Sequence, residues 1–179
     1  AVEALDRYMA KTPDYDSNAL YIKGLALRGF GQESYPLYSS LRSEALYSTE
    51  GIPQDFQSIA VWQTLIDNFP SSTRWADAWD EIAYTQWAYL ENPAAAASTL
   101  LDFIARAPAD PRAPEFLFMA GRYLERADLL TDAASTWERM ADMYPSYQDT
   151  FRALILSGVA RYRIAEYENA QATFQRALL

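Results

Sequence analysis

Pro70, Pro108 and Pro145 stand 38 and 37 residues apart, and each follows a stretch with helical spacing. A proline removes a backbone donor and clashes with the preceding turn, so it stops a helix. Three evenly spaced stops constrain the fold more than any other feature. Laid on itself at an offset of 37, the chain pairs Ala96-Ala97-Ser98-Thr99 with Ala133-Ala134-Ser135-Thr136, Leu100 with Trp137, and Trp137 with Phe174. Tyr84, Gly121 and Gly158 fall into the same register. Such a period is the signature of a helical array whose units bury their apolar faces against neighbours.

The individual helices are readable. From Pro114 to Ala127, Phe116, Leu117, Met119, Ala120, Tyr123, Leu124 and Ala127 recur every three or four residues, an amphipathic helix with proline in its first turn. Thr131 is the expected N-cap of the next helix, which carries Ala133, Ala134, Trp137, Met140, Ala141 and Tyr144 and stops at Pro145. The same pattern gives helices over 73–90, 93–107, 149–164 and 167–179, with Asn92-Pro93 as cap and first helical position. Residues 18–30 and 56–69 complete an earlier pair, and Ala1, Leu5, Tyr8 and Pro13 repeat the order of a second helix. Pro13 to Pro70 spans 57 residues, 20 more than the period, which places an insertion at about 32–55 with a short helix expected over 37–47. That insertion reads either as a cover over core, given Leu37, Leu41 and Leu46, or as a specific functional loop.

Composition bounds the chemistry. The 179 residues contain no cysteine and no histidine, which excludes cysteine nucleophiles, histidine-based triads, disulfides and the usual nitrogen and sulfur ligands of zinc. The absence of cysteine also permits an extracytoplasmic location. The six glycines are scattered and form no phosphate loop. No cofactor and no metal are expected. A net charge of -9 argues against nucleic acid as a partner, and no apolar run is long enough for membrane insertion. Residues 1–110 hold 15 acids against 7 bases, a net of -8, which leaves about -1 for the rest. Asp77, Asp80 and Glu81 form an acidic cluster that reads either as a seat for a basic peptide or as a solvated helix face.

Gly158, Tyr167, Ala170, Phe174 and Ala177, and with them Gly121, Ala133, Trp137 and Pro145, resemble the small-aromatic-small order of a tetratricopeptide repeat. The chain departs from that pattern at Tyr84, Phe103 and Met140 and in its longer repeat. The resemblance implies a right-handed all-α solenoid of about four to five helical hairpins, interrupted by the one insertion. It also implies a non-catalytic scaffold that binds a protein or peptide segment, or another domain of its parent chain, on a concave face lined by first helices. In this register that face carries Glu81, Thr85, Tyr89, Phe118, Arg122, Glu125, Arg126, Arg152, Ile155, Tyr162 and Arg163. The chain is expected to be a single repeat domain cut from a longer protein.

Asn68-Phe69-Pro70-Ser71-Ser72 and Met143-Tyr144-Pro145-Ser146 also resemble linkers of bacterial cell-envelope solenoids, including the ring of soluble lytic transglycosylases. That likeness implies a substrate-positioning solenoid and peptidoglycan as a partner. Glu33-Ser34 resembles the first two residues of the transglycosylase catalytic motif, but the Gly-Leu-Met-Gln that should follow is absent, so no catalytic residue is assigned.

Overall fold

A computed structural model describes residues 2–11, 16–33 and 54–178. Among the described residues the chain is helical with no strand: α1 Val2–Lys11, α2 Ser17–Glu33, α3 Gln54–Asn68, α4 Trp75–Ala88, α5 Pro93–Arg106, α6 Ala113–Arg126, α7 Leu130–Met143, α8 Thr150–Arg163 and α9 Tyr167–Ala177. The helix expected over 37–47, and most of the insertion, lie outside the described residues. Gln32 and Glu33, assigned to that insertion from sequence, belong to the last turn of α2. Packing groups the chain into two compact units, Ala1–Thr85 and Gln86–Leu179.

The period of 37 is written into the backbone twice. After α3, α5 and α7, each expected proline lies two residues past the helix, and the same pair of turns follows. Ser72 donates to Phe69 and Trp75 to Ser72, both at 3.0 Å. Asp110 donates to Ala107 and Ala113 to Asp110, then Tyr147 to Tyr144 and Thr150 to Tyr147, at 2.9 to 3.1 Å. Within the hairpins the turn depends on a left-handed residue at 37-residue intervals: Glu91 at φ 50°, Asp128 at φ 59° and Ala165 at φ 63°. Around Asp128 the Leu129 amide reaches back to the Leu124 carbonyl at 2.9 Å, and around Ala165 the Glu166 amide reaches Arg161 at the same distance. These are six-to-one closures that satisfy carbonyls at a helix end.

That turn corrects one expectation. α7 begins at Leu130, so Thr131 lies inside its first turn and does not cap it. The buried side chain of Leu130 and the left-handed Asp128 set the start without a polar cap. Asn92 does cap α5, its Oδ1 accepting from the Ala95 amide at 3.0 Å.

In the first unit, α2 crosses α3 where Gly24 meets the Trp62 indole, and Trp62 Nε1 donates to the Tyr21 carbonyl at 3.2 Å. In the second unit, Gly121 on α6 meets Trp137 on α7, and Trp137 Nε1 donates to the Phe118 carbonyl at 3.2 Å. Gly158 on α8 meets Phe174 on α9. A β-carbon added at any of the three glycines would fall 2.2 to 2.4 Å from the ring, so only glycine allows the crossing. Trp62, Trp137, Phe103 and Phe116 are among the largest fully buried side chains.

Candidate functional site

The arginines divide into two kinds by what they are bonded to. Arg161 on α8 is committed to the fold: its Nε and Nη2 donate to the two oxygens of Glu138 at 2.7 and 2.6 Å, and its Nη1 donates to Glu166 at 2.5 Å. Ser157 and Thr173 also donate to Glu138, each at 2.9 Å, so this carboxylate joins α7, α8 and α9. Burial alone would raise the Glu138 pKa, but the donated hydrogen bonds outweigh it and hold the carboxyl below its ordinary range. The hydrogen bond to Glu138 is the main reason the Arg161 pKa is raised. Arg28 in the first unit is committed in the same way, ion-paired to Glu81 and stacked over Trp62.

Arg122, Arg126, Arg152 and Arg163 are different. Among the described residues none of them donates a hydrogen bond; each makes only long ion pairs or lies on a ring. Arg122 stands 3.8 Å from Glu125, and Arg163 stands 3.5 Å from Glu125 and 3.8 Å from Asp128. Arg152 stands 3.8 Å from Asp149 and lies over the Phe118 ring at 5.2 Å. Arg126 lies over Trp87 at 5.0 Å. A guanidinium carries five donors in a plane, and stacking on a ring leaves its edges open to a ligand.

Three of these arginines, Arg122, Arg126 and Arg152, line a cleft of about 260 Å³ in the second unit together with Trp87, Phe118, Met119 and Tyr123. The lining comes from α6, from Arg152 at the start of α8 and from Trp87 near the end of α4. Trp87 and Tyr123 stack at 5.5 Å and build its floor.

Of the residues expected on the binding face, Arg122, Glu125 and Arg126 belong to α6 and Arg152, Ile155, Tyr162 and Arg163 to α8, with Arg163 reaching Glu125 between the two helices. Phe118 contributes ring to the floor but is only 8% exposed. Tyr162 is exposed and packs edge-on against Tyr167 at 5.2 Å. Tyr89 is half-buried, one residue beyond α4. Glu81 and Thr85 belong to the first unit and are committed there. Glu81 accepts from the Tyr21 hydroxyl at 3.0 Å and pairs with Arg28, and Thr85 is buried, donating to the Glu81 carbonyl at 2.7 Å. Burial first, then the Glu81 charge and hydrogen bond, pushes the Tyr21 phenol up to about 12. Asp77, a neighbour of Glu81 in the acidic cluster, pairs with Arg74 at 3.1 Å. Trp87, Met119 and Tyr123 were not expected at the site; their aromatic and apolar character reads as core. Among the described residues no cluster of acids could hold a metal, and no helix is long and apolar enough to cross a membrane.

No family model matches the chain, and no curated protein matches it. Solved structures do. MamA 41-end from Desulfovibrio magneticus RS-1 superposes with a TM-score of 0.54 at 15% identity, covering 99% of this chain and 81% of that one. The MamA RS-1 ArsTM double mutant gives a TM-score of 0.56 at the same identity and coverage. The fold is therefore an all-helical tetratricopeptide-like repeat. The narrower likeness to lytic transglycosylases, and peptidoglycan as a partner, find no support in these neighbours.

Proposed function

We propose that the chain is a non-catalytic helical-repeat scaffold that holds an acidic segment of a partner protein, or of another domain of its parent chain, on the α6 and α8 face. The observation that carries this reading is the contrast among arginines. Arg161 gives its donors to carboxylates of the fold, whereas Arg126 and Arg152 lie over aromatic rings and Arg122 and Arg163 make only long ion pairs. Unspent guanidiniums on a ring-lined cleft suit carboxylates flanked by apolar side chains. Catalysis is not part of the reading, because the chain offers no histidine or cysteine for acid-base or nucleophilic chemistry.

Titration of the intrinsic tryptophan fluorescence, to which Trp87 in the cleft contributes, with a glutamate-rich peptide and with its glutamine counterpart tests the proposal. The acidic peptide is expected to bind, more weakly as salt rises, since partly exposed charges are screened over about 8 Å at physiological ionic strength. Equal responses to both peptides, or none to either, would contradict it.

A further inference from the structure

The α8 face beside the cleft is apolar in a regular way. Phe151, Val159 and Tyr162 are 59%, 42% and 62% exposed, and half-buried Ile155 lies between them. At 100° per residue these four side chains fall within an arc of about 80°, and Arg152 and Arg163 fall at its border, at about 100° and 120°. The stripe runs for about 17 Å at 1.5 Å per residue, three turns of helix. Its border on the α6 side carries the guanidiniums that keep their donors, with Arg163 reaching Glu125 and Asp128 of the α6 end and Arg152 covering Phe118.

We infer, resting on the acidic-segment reading above, that the bound segment is an amphipathic α-helix, with its apolar stripe on α8 and its carboxylates along the edge that meets Arg122, Arg152 and Arg163. The spacing of the stripe selects a helix over an extended chain. Side chains along the α8 stripe repeat about every 5 to 6 Å, the spacing of one helix turn, and an opposing helix presents its i, i+4 and i+7 residues at the same interval. Same-side residues of an extended strand repeat at nearly 7 Å and would slip by about 4 Å over three turns. The charge follows from the border: cations lie on one side of the stripe, so the matching helix is acidic along one side only.

The test uses the full chain and two synthetic peptides of equal composition, with leucines at i, i+4 and i+7 and glutamates along one border. One peptide is held helical by a side-chain cross-link; the other carries a central proline. The cross-linked helix is expected to bind at least roughly tenfold tighter than the proline peptide. Val159→Glu, at an exposed position, is expected to remove that preference without moving the melting temperature, and Tyr162→Ala to remove it with only a small drop in melting temperature from the lost edge contact with Tyr167. Equal affinity for the two peptides, with binding still dependent on glutamate, would overturn the helical occupant and leave the acidic site standing. Retained preference in both variants would overturn the α8 stripe as the seat. Failure of both peptides to bind would overturn the site itself.

Discussion

The α-carbon of Gly121 packs on the indole of Trp137 so closely that a β-carbon there would sit 2.3 Å from Nε1, and the same indole donates to the Phe118 carbonyl one turn earlier in α6. This one contact fixes both the distance between α6 and α7 and the position of Phe118 in the floor of the cleft. Trp137→Ala is expected to cost roughly 3 to 5 kcal/mol, through lost burial and the cavity left behind. Gly121→Ala is expected to cost about 1 to 3 kcal/mol by overpacking. Chemical denaturation of the two variants measures both, and an unchanged midpoint for Trp137→Ala would contradict the assigned register.

Glu138 makes stability depend on acid. Its folded pKa lies below the ordinary 4.5, so the stabilisation it provides is present above that value and lost as pH falls through the folded pKa. Melting curves taken from neutral pH down to about pH 3 are expected to fall more steeply for the wild type than for Glu138→Gln. At neutral pH the variant is expected to be less stable by roughly 1 to 3 kcal/mol, because Arg161 loses its charged acceptor. Parallel acid profiles would show that the carboxylate contributes nothing specific.

Ala165 occupies a left-handed conformation at φ 63° that favours glycine. Ala165→Gly is expected to raise stability by about 0.5 to 1 kcal/mol, with relief of strain exceeding the entropy lost from a more flexible unfolded chain. A lower melting temperature in the variant would mean that the turn is not strained at this residue.

The helices and their stops are legible in the sequence because helix periodicity, proline and the Asn92-Pro93 cap act over a few residues. The repeat sockets at Gly121 with Trp137 and Gly158 with Phe174 could also be placed, because one offset of 37 aligns them. Gly24 with Trp62 could not, since the insertion breaks the offset that would have paired them. Thr131 looked like a cap because polar caps are common, yet the turn depends on Asp128 and on burying Leu130. The site was legible in outline on α6 and α8. Its division into committed and uncommitted arginines was not, because bonding partners such as Glu138 and Arg161 are separated by 23 residues and a full helix crossing.

The central claim is that the uncommitted arginines bind and the committed ones do not. Isothermal titration of a glutamate-rich peptide into the wild type, into a triple variant Arg122→Ala, Arg126→Ala, Arg163→Ala, and into Arg161→Ala tests it directly, with melting temperatures taken alongside. The triple variant is expected to lose at least roughly tenfold in affinity while melting near the wild type, because surface ion pairs contribute about 0 to 1 kcal/mol each. Arg161→Ala is expected to melt lower and to bind, while folded, as the wild type does. Wild-type affinity in the triple variant would contradict the account.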